Sequence, residues 1–202
     1  MMERVILNRL IYKVGHVLSG NVHGFLKGHS TSHCFVECLI NKDATCRAFV
    51  DLKGAFDRAN KDVIMEELIL KGVKGRLLGW IRDYLYNRTA QVWFQGAVSS
   101  EEVFELGTPQ GGVLSPMLFN VLMDKIACCS FPQGTQVLIY ADDVLLQCPT
   151  PRILQLALSQ LAALCVQIGL VITVFYFLRD TLFFLKNTLK NTNASSKMNF
   201  VL

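Results

Sequence analysis

No Cys-x-x-Cys pair occurs in this 202-residue chain, and its four histidines, His16, His23, His29 and His33, match no zinc-site spacing. Solvated or hydrogen-bonded roles are expected for them. The seven cysteines are odd in number and include the adjacent pair Cys128 and Cys129. That pattern argues against a disulfide framework and for reduced thiols in an intracellular protein. No secretory leader is expected either: Glu3, Arg4 and Arg9 interrupt Met1 to Leu10, which reads as a helix. A dense basic cluster is missing, so the net charge of +4 permits a nucleic-acid partner without indicating one. Internal repeats are absent. What the chain does have is apolar content, 51%, ample for a core, and length enough for one domain or a little more.

Periodicity and turn residues give an irregular alternation of helices and strands, an α+β pattern. Helices are expected over Glu3 to Leu18, Ser32 to Asn41, Lys61 to Lys71, Lys74 to Asn87, Met117 to Asp124 and Pro151 to Ile168. Val22 to Ser32 reads as a Gly-rich loop and Cys46 to Leu52 as a strand. Ala90 to Phe94 and Glu101 to Leu106 read as a strand pair turning at Gly96 to Ser100.

Three segments carry chemistry. Tyr140-Ala-Asp-Asp143 lies between the apolar runs Val137-Leu-Ile139 and Val144-Leu-Leu146, the pattern of a β-hairpin with two carboxylates at its tip. Adjacent Asp residues repel, and a hard divalent cation is the usual reason to place them together. An ordinary polar turn is the plainer alternative. The strand from Cys46 ends in another acid, Asp51, in Ala-Phe-Val-Asp-Leu-Lys-Gly-Ala-Phe-Asp57. If that strand packs beside the hairpin, three carboxylates converge and suit two Mg²⁺ ions roughly 3.5–4 Å apart, the arrangement for in-line phosphoryl transfer. Gly107-Thr-Pro-Gln-Gly-Gly-Val-Leu-Ser-Pro116 is a Gly/Pro loop entering a helix. Ser115 is the expected N-cap and Pro116 the first helical residue. Phe56, taken alone, reads as a core aromatic, and Asp57 as a cap or salt bridge at a helix start. Trp80, Tyr84, Tyr86 and Trp93 flank Arg82 and Arg88, which fits either a nucleic-acid grip or an amphipathic helix.

Phe49-Val-Asp-Leu-Lys-Gly-Ala-Phe-Asp57, Gly107 to Pro116 and Tyr140 to Asp143 resemble motifs A, B and C of reverse transcriptases, in order and spacing. Gly24-Phe-Leu-Lys-Gly-His-Ser-Thr31 resembles the block before motif A in the non-LTR (LINE-type) retrotransposon group. The resemblance covers roughly Glu3 to Thr173. It implies a polymerase palm, a ferredoxin-like antiparallel sheet with packed helices, plus part of the fingers and no thumb. It implies RNA-directed DNA synthesis with two Mg²⁺ (Mn²⁺ as substitute) on an RNA template, a DNA primer and deoxynucleoside triphosphates. By the same resemblance Asp51, Asp142 and Asp143 are the catalytic metal ligands. Phe56 is the gate under the incoming sugar, Gln110 and Gly111 contact nucleotide and template, and Tyr140 lies beside the primer end. A nuclear location follows from the retroelement class alone.

The ends depart from the family pattern. The basic residue that grips the triphosphate in the family is expected to be absent here, and the Lys that follows the Gly169-Leu170 turn in the family would fall near Tyr176. The expected organisation is a reverse transcriptase-like domain over residues 1–173 and a divergent tail over 174–202, frameshifted or disordered. The expectation is a palm fragment with its metal site intact and its substrate grips missing, inactive on its own. Two further readings stand beside the polymerase: a non-catalytic nucleic-acid-binding remnant, and a membrane-associated protein using the apolar run Leu161 to Leu178. A helix ending near Gly169 and followed by a strand accounts for that run better, so no stable membrane association is expected.

Overall fold

The computed structural model describes residues 2–40 and 46–178. In chain order the elements are α1 (Met2–Val14), α2 (Thr31–Ile40), β1 (Cys46–Leu52), α3 (Ala55–Arg58), α4 (Lys61–Leu70), α5 (Gly75–Leu85), β2 (Arg88–Ala90), β3 (Trp93–Phe94), β4 (Ala97–Val98), β5 (Glu102–Phe104), α6 (Ser115–Ala127), β6 (Gln136–Tyr140), β7 (Asp143–Cys148), α7 (Pro151–Gln167) and β8 (Ile172–Leu178). Two compact units share them, and the chain visits each twice: residues 1–18 with 55–122, and 19–54 with 123–202.

The second unit is built on a four-stranded sheet of order β6-β7-β1-β8, every neighbouring pair antiparallel. One strand, then a hairpin, then a strand, with α7 between the last two, is the split β-α-β of the ferredoxin-like arrangement. Its register is legible in burial. Ala48, Leu146 and Val137 face one another across three strands, as do Val50, Val144 and Ile139, and all six are buried. The alternate rows on the other face run Arg47–Gln147–Gln136 and Phe49–Leu145–Leu138. The Arg47 Nε–H donates to Gln147 Oε1 at 2.9 Å, so the fully buried Gln147 keeps a partner.

Local chemistry sets the ends of α7, which packs on β1 and β7. Thr150 Oγ1 accepts from the Ile153 N–H at 3.3 Å and Pro151 opens the helix. At the other end Gly169 takes φ 80°, with Leu170 N–H bonded to Cys165 O and Gly169 N–H to Val166 O, a Schellman stop. The apolar run from Leu161 is therefore split into the end of a helix and a separate strand. Among the described residues no helix is long and apolar enough to cross a membrane.

In the first unit, α5 lies against α1 and α4. Asn60 caps α4 through its side-chain oxygen, bonded to the Asp62 and Val63 N–H groups at 2.9 and 3.3 Å. The expected single strand pair after α5 is instead two short ladders, β2 with β5 and β3 with β4, because Gln91 and Val92 interrupt the first and Gln95-Gly96 turns the second. The buried Lys61 ammonium anchors this arm by donating to the Phe104 carbonyl.

The expected boundary after Thr173 falls inside β8, which pairs with β1. The rest of the expected tail, residues 179–202, and the Asn41 end of the second helix lie outside the described residues. Leu146, fully buried on a central strand, tests the sheet as the core of its unit. Leu146→Ala should lower unfolding free energy by about 2–5 kcal/mol in urea titration. A loss under ~1 kcal/mol would mean that the site is not packed as described.

Candidate active site

Register places the acids. The ladder between β1 and β7 ends with Val50 on Val144, so Asp51 and Asp143 are the next residues outward on neighbouring strands. Across the hairpin Asp143 pairs with Tyr140, leaving Ala141 and Asp142 as a two-residue turn. Tyr140, Asp143 and Asp51 thus form one cross-strand row on the face that carries Arg47 and Phe49, with Asp142 beside it at the tip. Residues directly opposite in an antiparallel pair stand about 4.5–5.5 Å apart at Cβ, where like charges destabilise. The electrostatics follow. Desolvation first, then the charges of Asp142 and Asp51, hold the Asp143 carboxyl above its ordinary pKa. Among the described residues no three His, Cys, Asp or Glu side chains are drawn together as a ligand shell. The backbone brings the three carboxylates to one end of the sheet without closing them around a point.

Two contacts fix this end. Ala141 takes φ 55°, the positive value that the first central residue of a tight hairpin needs and that a Cβ disfavours. The segment before α2 braces it. Val22 bridges Ile139, His23 N–H donates to Ile139 O at 2.8 Å, and Gly24 lies so close that a Cβ there would stand 2.3 Å from the Ala141 nitrogen. On the other side of β1, Thr173 Oγ1 donates to Asp51 Oδ2 at 2.8 Å and lies 3.1 Å from the Asp51 carbonyl oxygen.

Phe56, Gln110 and Gly111 belong to the other unit. Phe56, half-buried on α3, stacks on the fully buried Phe119, with ring centroids 4.3 Å apart. The Gly/Pro loop is fastened to α3 and the residue after it by main-chain bonds, Gly107 N–H to Ala59 O and Thr108 N–H to Phe56 O, both 2.9 Å. Gly107 has φ 85°, and a Cβ there would lie 2.8 Å from the Asp57 carbonyl oxygen, so this crossing requires glycine. Gln110 and Gly111 are exposed, and Gln110 Nε2 donates to Asp57 Oδ1 at 2.7 Å.

Three expectations change here. Asp57 does not cap a helix. It orients Gln110, and Asn60 does the capping. Ser115 does not cap α6 either: the Leu114 carbonyl accepts the first helical bond, from the Leu118 N–H, so Ser115 is already helical, and its hydroxyl donates to Pro109 O at 2.6 Å. Of the aromatic and basic group near α5, Tyr84 is buried, stacked on Trp80 and covered by Arg88, and Tyr86 donates to Asp62. Those contacts favour the packed-helix reading, while Trp93 remains exposed.

A family model described as reverse transcriptase (RNA-dependent DNA polymerase) matches residues 1–174. The chain belongs to the reverse transcriptase family. It is 30% identical over 183 residues to a probable RNA-directed DNA polymerase from transposon BS of Drosophila melanogaster, covering 81% of this chain and 20% of that protein. It is 30% identical over 162 residues to the RNA-directed DNA polymerase from mobile element jockey of Drosophila funebris, covering 71% and 17%. These matches to mobile-element polymerases accord with the non-LTR resemblance carried by the motifs. The chain spans about a fifth of the length of these curated relatives. In fold it is similar to apo telomerase from Candida tropicalis truncated from its C-terminal domain, with TM-score 0.64, 15% identity, and coverage of 99% of this chain and 41% of that one.

Within this reverse transcriptase sheet, sequence reasoning missed Thr173 and the brace at Gly24. A signal existed for Gly24, which opens the block before motif A. Thr173 carried none, because its role depends on strand register. His23, His29 and His33 also come together, with His23 Nδ1 3.1 Å from His29 Nδ1.

Two consequences are measurable. Gly24→Ala must displace the hairpin tip and should cost about 1–3 kcal/mol in urea unfolding. A change within ~0.5 kcal/mol would show that the brace is loose. For Asp143 the folded-state pKa is the raised one, so ionising it opposes folding. Stability is therefore lost as pH rises from the ordinary carboxylate range through the folded value. In cation-free buffer Asp143→Asn should melt above the parent chain at about pH 7 and level with it at about pH 3. An equal or lower melting temperature at the higher pH would contradict the raised Asp143 carboxyl.

Proposed function

We propose that the chain is the palm portion of an RNA-directed DNA polymerase that adds deoxynucleotides to a primer 3′-hydroxyl with two divalent cations, Mg²⁺ or in substitution Mn²⁺. The row of Tyr140, Asp143 and Asp51 beside Asp142 carries the reading. Its chemistry fits a hard cation: all the donors are carboxylate oxygens, and Asp143 is ionised against burial first and the negative charge of the other two second. Asp51 and Asp142 would be the principal ligands and Asp143 the third. Bound cations supply a lowered pKa for the attacking hydroxyl and stabilise the leaving pyrophosphate. Tyr140 would lie beside the primer end. Phe56 would sit under the sugar and exclude a 2′-hydroxyl, a role supported by the stacking that stiffens its ring on Phe119. Gln110 and Gly111 would meet nucleotide and template strand, with Asp57 holding the Gln110 amide. RNA template, DNA primer and deoxynucleoside triphosphates are the implied partners, and the nucleus the implied location.

A second reading, RNA binding without turnover, draws on one observation: among the described residues the acids do not close into a ligand shell. Asp142→Ala separates the two. In a complete enzyme carrying this palm it should abolish Mg²⁺-dependent primer extension and leave salt-sensitive RNA binding in place. Extension at the parent rate would remove Asp142 from the metal site.

A further inference from the structure

We propose that Thr173 is a positioning residue for the Asp51 carboxylate, delivered to it by a β-bulge in β8. The register of β8 on β1 is regular from Arg47–Leu178 to Asp51–Val174 and then slips, so that Leu52 pairs with Ile172. Thr173 is the extra residue, opposite nothing on β1. A bulge bends its strand and re-aims the side chain of the unpaired residue. Here that side chain is a half-buried hydroxyl, and it donates to Asp51 Oδ2 at 2.8 Å. The same oxygen lies 3.1 Å from the Asp51 main-chain oxygen, so the hydroxyl is held over both the carboxylate and its own backbone. Lys53 N–H to Val171 O, at 2.7 Å, resumes the strand contact immediately beyond the slip. The irregularity is therefore bounded on both sides and confined to the acid.

The effect on Asp51 is geometric. A carboxylate offers two oxygens and about four lone-pair sites, and one hydroxyl proton occupies one of them. Acceptor capacity remains for a cation, while rotation of the side chain is restricted. The Thr173 bond thus holds the Asp51 carboxylate in one orientation at the end of the sheet. Hydrogen-bond partners of metal-binding carboxylates typically change metal affinity by 10–100-fold when removed. The inference rests on the divalent-cation reading of the carboxylate row, and its test separates the two.

The experiment is Mn²⁺ binding to the purified 202-residue chain, followed by electron paramagnetic resonance of the free ion, which needs no turnover. Four proteins are compared: the parent chain, Thr173→Val, Thr173→Ser and Asp51→Asn. Thr173→Val keeps the branched shape that suits a strand and removes the hydroxyl, and Thr173→Ser keeps the hydroxyl. Circular dichroism melts confirm that each is folded. The expected result is about tenfold weaker binding for Thr173→Val, near-parent binding for Thr173→Ser, and the largest loss for Asp51→Asn. If Asp51→Asn binds weakly while Thr173→Val binds as the parent does, the positioning role is overturned and the cation site stands. Equal loss in Thr173→Val and Thr173→Ser also overturns it, because the hydroxyl is then not what matters. Parent-like binding by Asp51→Asn overturns the cation site itself.

Discussion

Acids partly withdrawn from water and set beside one another at one end of a four-stranded sheet are the constraint on which this site depends. Two strands and a hairpin turn bring Asp51, Asp142 and Asp143 to that end of the sheet, and burial first, then the charges of Asp142 and Asp51, raises the Asp143 pKa. Nothing in the apolar rows behind them requires acids there. Ala48, Val50, Val137, Ile139, Val144 and Leu146 would hold the same sheet with neutral residues at its end. The fold holds these acids at one place, and specific contacts flank them there.

Those contacts are specific. The positive φ of Ala141 makes the turn tight enough to present Asp142, and the backbone of Gly24 fills the space behind it so completely that a single methyl group would not fit. On the opposite flank the slip in β8 brings Thr173 onto Asp51. In the other unit the same economy appears in a different form. Gly107 lets the loop cross α3 at main-chain distance, and Asp57 fixes the Gln110 amide. Each device sets one polar group at a defined position, and each uses a residue that a packing argument alone would not choose.

Much of this was legible in the chain itself, for identifiable reasons. β1 was expected over Cys46 to Leu52 and forms there, because alternating burial and an acid at the end make a strong strand signal. The β6–β7 hairpin follows from two apolar runs around Ala-Asp, and α7 from Thr150-Pro151 and Gly169. The resemblance of motifs A, B and C pointed to the family, to which the chain belongs. What escaped was non-local. Ser115 looks like a cap until Pro109 is seen beside it, and Asp57 looks like one until Gln110 is. The histidines match no ligand spacing, yet three of them gather. A strand was expected after the helix that ends near Gly169, and β8 forms there, running past the expected boundary at Thr173 because pairing responds to β-branched and aromatic residues.

The most direct test of the central claim is a crystal of the chain grown with Mn²⁺, with the metal located by its anomalous scattering. The account predicts a peak bounded by carboxylate oxygens of Asp51 and Asp142, with Asp143 nearby and Thr173 still bonded to Asp51. A peak at His23 and His29 instead, or none at the end of the sheet at saturating Mn²⁺, would contradict it.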